Sequence, residues 1–216
     1  MNDPNDPNDS NDPKDPNGSN DSNDSNDSNE YYSCMSGPAP ILLLSMPQMA
    51  DPNFARSVVL LCDYTEKGAF GLVVNRQMDE PAWTMVKTDP PVEVDPEVRL
   101  WVGGPVEPTQ TWVLSTDAQG PEDEQREICP GIVLSMSHQL ALQLLQEPPT
   151  NQARIVVGCS AWAPSQLDEE LAASSWLTMD VDPSLIFTVP PELMWETALR
   201  RLGTDPAKLQ MSSGVH

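Results

Sequence analysis

The chain has 216 residues, 38% of them hydrophobic, which is enough for one domain with a substantial core. It carries 33 acidic and 11 basic residues, for a formal net charge of −22. A field of that sign repels phosphate backbones and anionic lipid headgroups, so neither nucleic acid nor a membrane is expected as a direct partner.

Residues 2–29 repeat in threes, Asn-Asp-Pro and then Asn-Asp-Ser. The first 30 residues hold eight Asp, one Glu and one Lys, so −8 of the charge lies there and −14 in the remainder. No repeat unit offers a side chain to bury, so ordering the segment would cost entropy with no hydrophobic return. Residues 1–33 are therefore expected to be a disordered, self-repelling tail, and 34–216 a single domain with its core at about 40–205. Asp and Asn oxygens suit calcium, but calcium loops need glycines to fold around the ion, and only Gly18 is present.

Ile41 to Met46 is a short apolar run closed by Pro47 and reads as a buried strand. Ser57 to Cys62 is a second strand, joined by a hairpin to Phe70–Asn75. Residues 76–98 are rich in Pro and acid, and only 83–86 suggest a short helix. Leu100–Val102 is a strand running into Gly103-Gly104-Pro105, and Thr111–Ser115 is another. An acidic loop is expected at 116–127 and a strand at 132–136. A helix capped by Ser137 runs to Gln146, before Pro148-Pro149. Arg154–Gly158 is a strand, and a helix follows from Ser165 to Ala173, with Ser165 as its cap. Strands are expected at 176–181 and 185–189. Pro190-Pro191 opens a last helix, closed by Gly203, whose buried face is Leu193, Ala198, Leu199 and Leu202. Strands and helices interleave without strict βαβ alternation. The expected fold is α+β, a mixed β-sheet with helices packed on it.

The four cysteines, at 34, 62, 129 and 159, form no close pair of the zinc-knuckle or redox-dithiol kind. The N-terminus lacks a basic region followed by an apolar run, so no secretory leader is expected. The cysteines are then free thiols in a reducing cytoplasm, the expected location. No apolar stretch near the front is long enough to span a bilayer.

Met46-Pro-Gln-Met-Ala-Asp-Pro-Asn-Phe-Ala-Arg56-Ser-Val-Val, then Cys62, then Gly68-Ala-Phe-Gly-Leu-Val-Val-Asn75, resembles the front signature of the YqgE/AlgH family. Gly103-Gly104-Pro105 is similar to its central turn. Gly158, Trp162, Gln166-Leu167, Glu170-Leu171 and Trp176-Leu177 resemble its third block in the same order. The resemblance covers roughly residues 40–205. It implies a small bacterial cytoplasmic protein with a compact mixed α/β fold and no established reaction. One member's name links the family to transcriptional control of alginate production. The chain departs from the family pattern at four positions. Gln110 and Ser115 stand where relatives usually carry Arg and His, Ser165 where they carry Gly, and Cys159 where they carry Tyr.

Gly158-Cys-Ser160-Ala-Trp162 has the outline of a serine-hydrolase elbow, but such an elbow needs a glycine at its fifth position. The usual histidine partner could only be His138 or the terminal His216. Ser160 is therefore expected to be structural, in a tight strand–helix turn. Cys159 precedes a helix start, yet acidic residues in that helix oppose a thiolate, so a buried, inert thiol is expected. His138 lacks the matched partners a metal site requires. Gly103 and Gly104, followed by Pro105, either present amides to an anion or make a sharp turn with positive φ. Arg56, Asn75, Gln166 and Glu170, with Trp162, either line a ligand cleft or form a buried network, with Arg56 paired to Asp51 or Glu170.

No catalytic residue, metal or cofactor is assigned. The expected function is a non-enzymatic interaction or regulatory module with a protein partner, able to form a homodimer. One alternative is a small-molecule-binding protein or hydrolase with a cleft near Gly104 and Trp162. Another is a transcriptional regulator acting through a protein partner.

Overall fold

The computed structural model describes residues 39–205 and residue 209. The expected tail and Cys34 lie outside them. The elements run β1 (Ile41–Ser45), β2 (Val58–Thr65), β3 (Gly68–Val73), β4 (Gln77–Pro81), α1 (Ala82–Met85), β5 (Arg99–Val102), β6 (Val106–Ser115), β7 (Gln125–Cys129) and β8 (Ile132–Ser135). They continue with α2 (His138–Gln146), β9 (Ala153–Trp162), α3 (Gln166–Ala172), β10 (Trp176–Met179), α4 (Pro183–Thr188) and α5 (Pro191–Arg201). One ten-stranded sheet runs β10-β1-β2-β3-β9-β6-β8-β7, with β5 also on β9 and β4 on β5. All its pairs are antiparallel except β5 with β9, so the sheet is mixed and the fold is α+β.

The central strands are apolar throughout because both of their faces are covered. Leu42 and Leu44 of β1 pack toward α4 and α5, with Leu185, Ile186, Met194, Trp195 and Leu199. Leu43 packs the other way, with Val59, Leu61, Trp162, Leu167 and Trp176. All three leucines are fully buried, each contributing about 2 kcal/mol. Leu145 of α2 packs with Leu100 and Ile155, and Leu140 with Val113, so α2 covers the far end of the sheet.

The sheet forks at β9. The C-terminal half of β9 pairs with β3, Ala69 opposite Trp162 and Gly71 opposite Ser160. Its N-terminal half pairs instead with β5, Trp101 beside Val156. At the fork, Gly103 donates its amide to the Val157 carbonyl at 2.8 Å. The Gly103 carbonyl accepts from the Val73 amide at 2.8 Å and from Ser160 Oγ at 3.0 Å. A Cβ on Gly103 would lie 2.3 Å from the Gly158 carbonyl oxygen, and one on Gly104 (φ 150°) 2.2 Å from that of Cys159. The two glycines therefore serve close backbone approach, and at Gly104 also a positive φ.

Several expected elements change. The strand expected at 185–189 is helix α4: Pro183 occupies its first turn and the Asp182 carboxylate accepts from the Ser184 amide at 2.8 Å. A short buried apolar run carries no period of its own, and the Asp-Pro start signal decides. The acidic loop ends early, giving way to β7, Gln-Arg-Glu-Ile-Cys, which pairs with β8. Strand β4 emerges from the Pro-rich stretch before α1. The strand expected at 154–158 continues to Trp162, so the Gly158–Trp162 motif lies inside β9 rather than in a strand–helix turn. Helix α5 buries Met194, Trp195, Ala198 and Leu199, while Leu193 and Leu202 are exposed. The Trp195 indole N–H, donating to the Ser45 carbonyl at 2.9 Å, fixes that face.

Ser137 caps α2 as expected, accepting from the Leu140 amide. Ser165 does not cap α3. It sits in the left-handed region at φ 64° with no side-chain cap bond. A β-carbon there crowds its own backbone, so the position favours glycine, the residue that the family resemblance implies there. Ser165→Gly is expected to stabilise the chain by about 0.5–1 kcal/mol, seen as a higher urea midpoint at unchanged slope. Gly104→Ala is expected to cost about 2–4 kcal/mol in the same measurement, since its Cβ meets main chain that cannot move away.

Candidate functional site

The eight residues singled out in the sequence fall into three local networks. In the first, the Glu170 carboxylate accepts from the Trp162 indole N–H at 2.9 Å, the Trp176 indole N–H at 2.7 Å and the Gln166 amide at 2.9 Å. The Gln166 carbonyl accepts from the Ala163 amide at 3.0 Å. Phe54 packs against both indoles, with ring centroids 6.3 and 5.5 Å away. One half-buried carboxylate on α3 thus ties the helix to the ends of β9 and β10 and to the loop before β2.

In the second network, Asn75 Oδ1 accepts from the Val58 amide at 2.8 Å and its Nδ2 donates to the Arg56 carbonyl at 2.9 Å. Arg76 donates to the Pro52 and Ala55 carbonyls at 2.9 and 3.2 Å, so both residues clamp the 51–57 loop. Arg56 has φ 53° and its guanidinium lies 5.5 Å from the Trp195 ring centroid. The expected ion pair from Arg56 to Asp51 or Glu170 is replaced by this stacking contact; Glu170 is engaged by the two indoles. The third network is the fork itself, where Gly103 and Gly104 are buried and Pro105 is exposed. The side chains of Asn75, Gln166 and Glu170 hydrogen-bond within the chain, Gln166 from an exposed position and the other two half-buried.

The candidate nucleophiles are buried. Ser160 is fully buried and donates to the Gly103 carbonyl. Burial pushes the Cys62 thiol up to about 12, against the opposing pull of Arg126. Burial, assisted by Glu107, pushes Cys159 up to about 11. His138 is exposed at the start of α2. Gln110 donates to the Thr111 carbonyl, and Ser115 is buried and donates to the Asp117 carbonyl at 2.8 Å. Among the described residues, no group of three or more His, Cys, Asp and Glu could hold a metal ion. No helix among them is long and apolar enough to cross a membrane.

Sequence reasoning passed over Arg154, which lies on β9 in an apolar run. It is 8% exposed. Its Nη1 donates to the Val74 carbonyl at 2.6 Å, and its Nη2 to the Ile186 carbonyl. Its guanidinium lies 3.8 Å from the Trp101 ring centroid and 5.5 Å from that of Phe187. Burial alone pushes its pKa down to about 10. Two ion pairs occur among the described residues, Arg200 with Glu196 and Arg201 with Asp182, and Arg154 belongs to neither. A buried cation without a carboxylate is costly, and here two carbonyls and two aromatic faces offset that cost. Arg154, Trp101 and Phe187 line a cavity of about 420 Å³, which none of the eight expected site residues touches.

A curled, mixed sheet with its helices tied on by buried polar anchors defines a compact α+β protein of AlgH-like architecture. The AlgH-like family profile matches residues 42–207. A UPF0301 protein of Myxococcus xanthus is 37% identical over 184 residues, covering 84% of this chain and all of the relative. Another, from Ralstonia nicotianae, is 36% identical over 175 residues, covering 80% of this chain and 92% of the relative. The solution structure of the AlgH protein from Pseudomonas aeruginosa superposes with a TM-score of 0.64 at 29% identity, covering 84% of this chain and all of that one. A Corynebacterium diphtheriae protein, DIP2367, shares the fold at a TM-score of 0.57 and 23% identity, covering 77% of this chain and 88% of that one. The chain belongs to the YqgE/AlgH family, whose relatives named here are bacterial proteins.

Glu170→Ala would leave two buried indole donors without their acceptor. The expected loss is about 2–4 kcal/mol in urea unfolding, with a changed near-ultraviolet circular dichroism from Trp162 and Trp176. Glu170→Gln keeps an acceptor and is expected to lose about half as much.

Proposed function

We propose that this chain is a non-enzymatic interaction or regulatory module that works in the cytoplasm through a protein partner, a second copy of itself included. The observation that supports this reading is the engagement of the family-signature side chains of Glu170 and Asn75 in hydrogen bonds within the chain. Glu170 is taken by Trp162, Trp176 and Gln166, and Asn75 by Val58 and Arg56. A side chain committed to holding strands and loops together is less free to work on a substrate.

The surface supplies the second support. Trp83 and Met85 on α1 are 57% and 42% exposed. Tryptophan is enriched among residues that dominate binding energy at protein interfaces, and methionine adapts to varied partners. The net −14 of the chain after residue 30 makes a role in transcription one of contacting a protein rather than DNA.

Two measurements test the reading. A photo-crosslinking amino acid in place of Met85 is expected to give a discrete protein adduct in cells, lost on Trp83→Ala and kept on Ser160→Ala. A fluorophosphonate or iodoacetamide probe is expected to leave Ser160 and Cys159 unlabelled in the folded chain. At pH 8, a thiol at about 11 is ionised in only about one molecule in a thousand. Selective, stoichiometric labelling of either residue in the native state would overturn the reading in favour of an enzyme.

A further inference from the structure

The cavity beside Arg154 stands apart from the three signature networks. It is an open cavity where β5 and β9 run parallel below the fork, bordered by Phe187 of α4 and by prolines at the ends of α2 and α5. Its volume of about 420 Å³ falls within the range of small-molecule sites.

Arginine has five N–H hydrogens and no acceptor. Arg154 gives one from each terminal nitrogen, to the carbonyls of Val74 and Ile186. The hydrogen on Nε and one on each terminal nitrogen have no protein acceptor among the described residues. The side chain is more than nine-tenths buried and lines the cavity. A carboxylate supplies both the acceptors and the missing countercharge, in the planar geometry a guanidinium fork matches.

Trp101 and Phe187 line the same space, as do Pro148 and Pro190. These flat apolar surfaces suit a planar apolar body attached to the anionic group. The exposed carboxylates of Glu97 and Glu147 and the half-buried Arg99 also line the cavity. Two carboxylates against two guanidiniums leave the lining without net positive charge, which suits a single carboxylate better than a multiply charged anion such as a di- or triphosphate. We infer that this cavity is a binding site for a small organic monocarboxylate with a flat apolar body. The inference is independent of the protein-partner reading above.

Benzoate is the probe, with benzamide as its uncharged isostere and inorganic phosphate as a compact anion. Each is titrated into the full 216-residue chain labelled with ¹⁵N. The signals followed are the Trp101 indole and the Gln77 side-chain amide, which lie at the cavity, and the Trp162 indole, which does not. Benzoate is expected to shift the cavity signals and leave Trp162 in place. Benzamide and phosphate should bind at least about tenfold more weakly. Arg154→Met should abolish the benzoate shift. Glu147→Gln, an exposed change that keeps the fold, should tighten benzoate about two- to threefold whether or not Arg154→Met folds. Equal binding of benzoate and benzamide would overturn the inference, as would equal binding of phosphate. A benzoate titration that leaves the Trp101 and Gln77 signals unmoved would overturn it too.

Discussion

The structure depends on one close approach of main chain to main chain. Where β9 changes neighbour from β3 to β5, the backbones at Gly103, Gly104 and Gly158 leave no room for a side chain. Gly158, at φ 71°, marks the point on β9 where the change occurs. Gly103 holds both arms of the fork, donating to β9 and accepting from β3. Without that approach, β5 could not wedge between its neighbours, and a parallel pair could not form inside an otherwise antiparallel sheet. Ser160 belongs to this device. It adds a side-chain donor to the same Gly103 carbonyl, which is why a serine is fully buried in an apolar strand.

The fork also explains Arg154. On β9, Arg154 stands four residues before Gly158, in the half that has left β3. Its side chain crosses to the Val74 carbonyl, just past the end of β3, and to Ile186 on α4. The Val74 carbonyl, just past β3, and the Ile186 carbonyl, near the C-terminus of α4, thereby receive a donor. A lysine could not take its place, since one ammonium cannot reach two fixed carbonyls and stack flat on Trp101 together. Stability and the chemistry of the cavity thus share one residue. The fold requires a guanidinium there, and the cavity inherits its charge.

Much of this architecture is legible in the sequence, and the failures have physical causes. The strands at 41–46, 57–62 and 70–75 are readable because both faces are covered, which leaves an unbroken apolar run with turn residues between. The 185–189 segment is equally apolar and buried, yet helical, because Asp182-Pro183 starts a helix and no alternation opposes it. At Ser165 the local signal points the wrong way. Serine before a helix reads as a cap, whereas the backbone there needs the left-handed conformation of a glycine. On α5, leucine spacing suggests a face that Trp195 overrides, because its indole must reach the Ser45 carbonyl. Arg154 is the least legible. A single arginine at a strand start looks like a solvated end, and only the three-dimensional fork reveals that it is buried.

The signature residues and the cavity residues answer different demands. Glu170 collects two indoles and an amide that come from a strand, a second strand and its own helix. Removing any one of these donors would leave the other two in place, so the carboxylate acts as a hub whose loss is felt by three elements together. Asn75 does the same for the 51–57 loop, using both ends of its amide. Such hubs constrain residue type strongly, because each needs one acceptor or amide of fixed length at one point. The cavity imposes a looser demand. Its prolines and aromatic rings can vary in shape while Arg154 stays fixed by the carbonyls it serves. The two demands are therefore separable in this chain: the hubs hold the fold together, and the cavity walls border a guanidinium that the fold has already fixed.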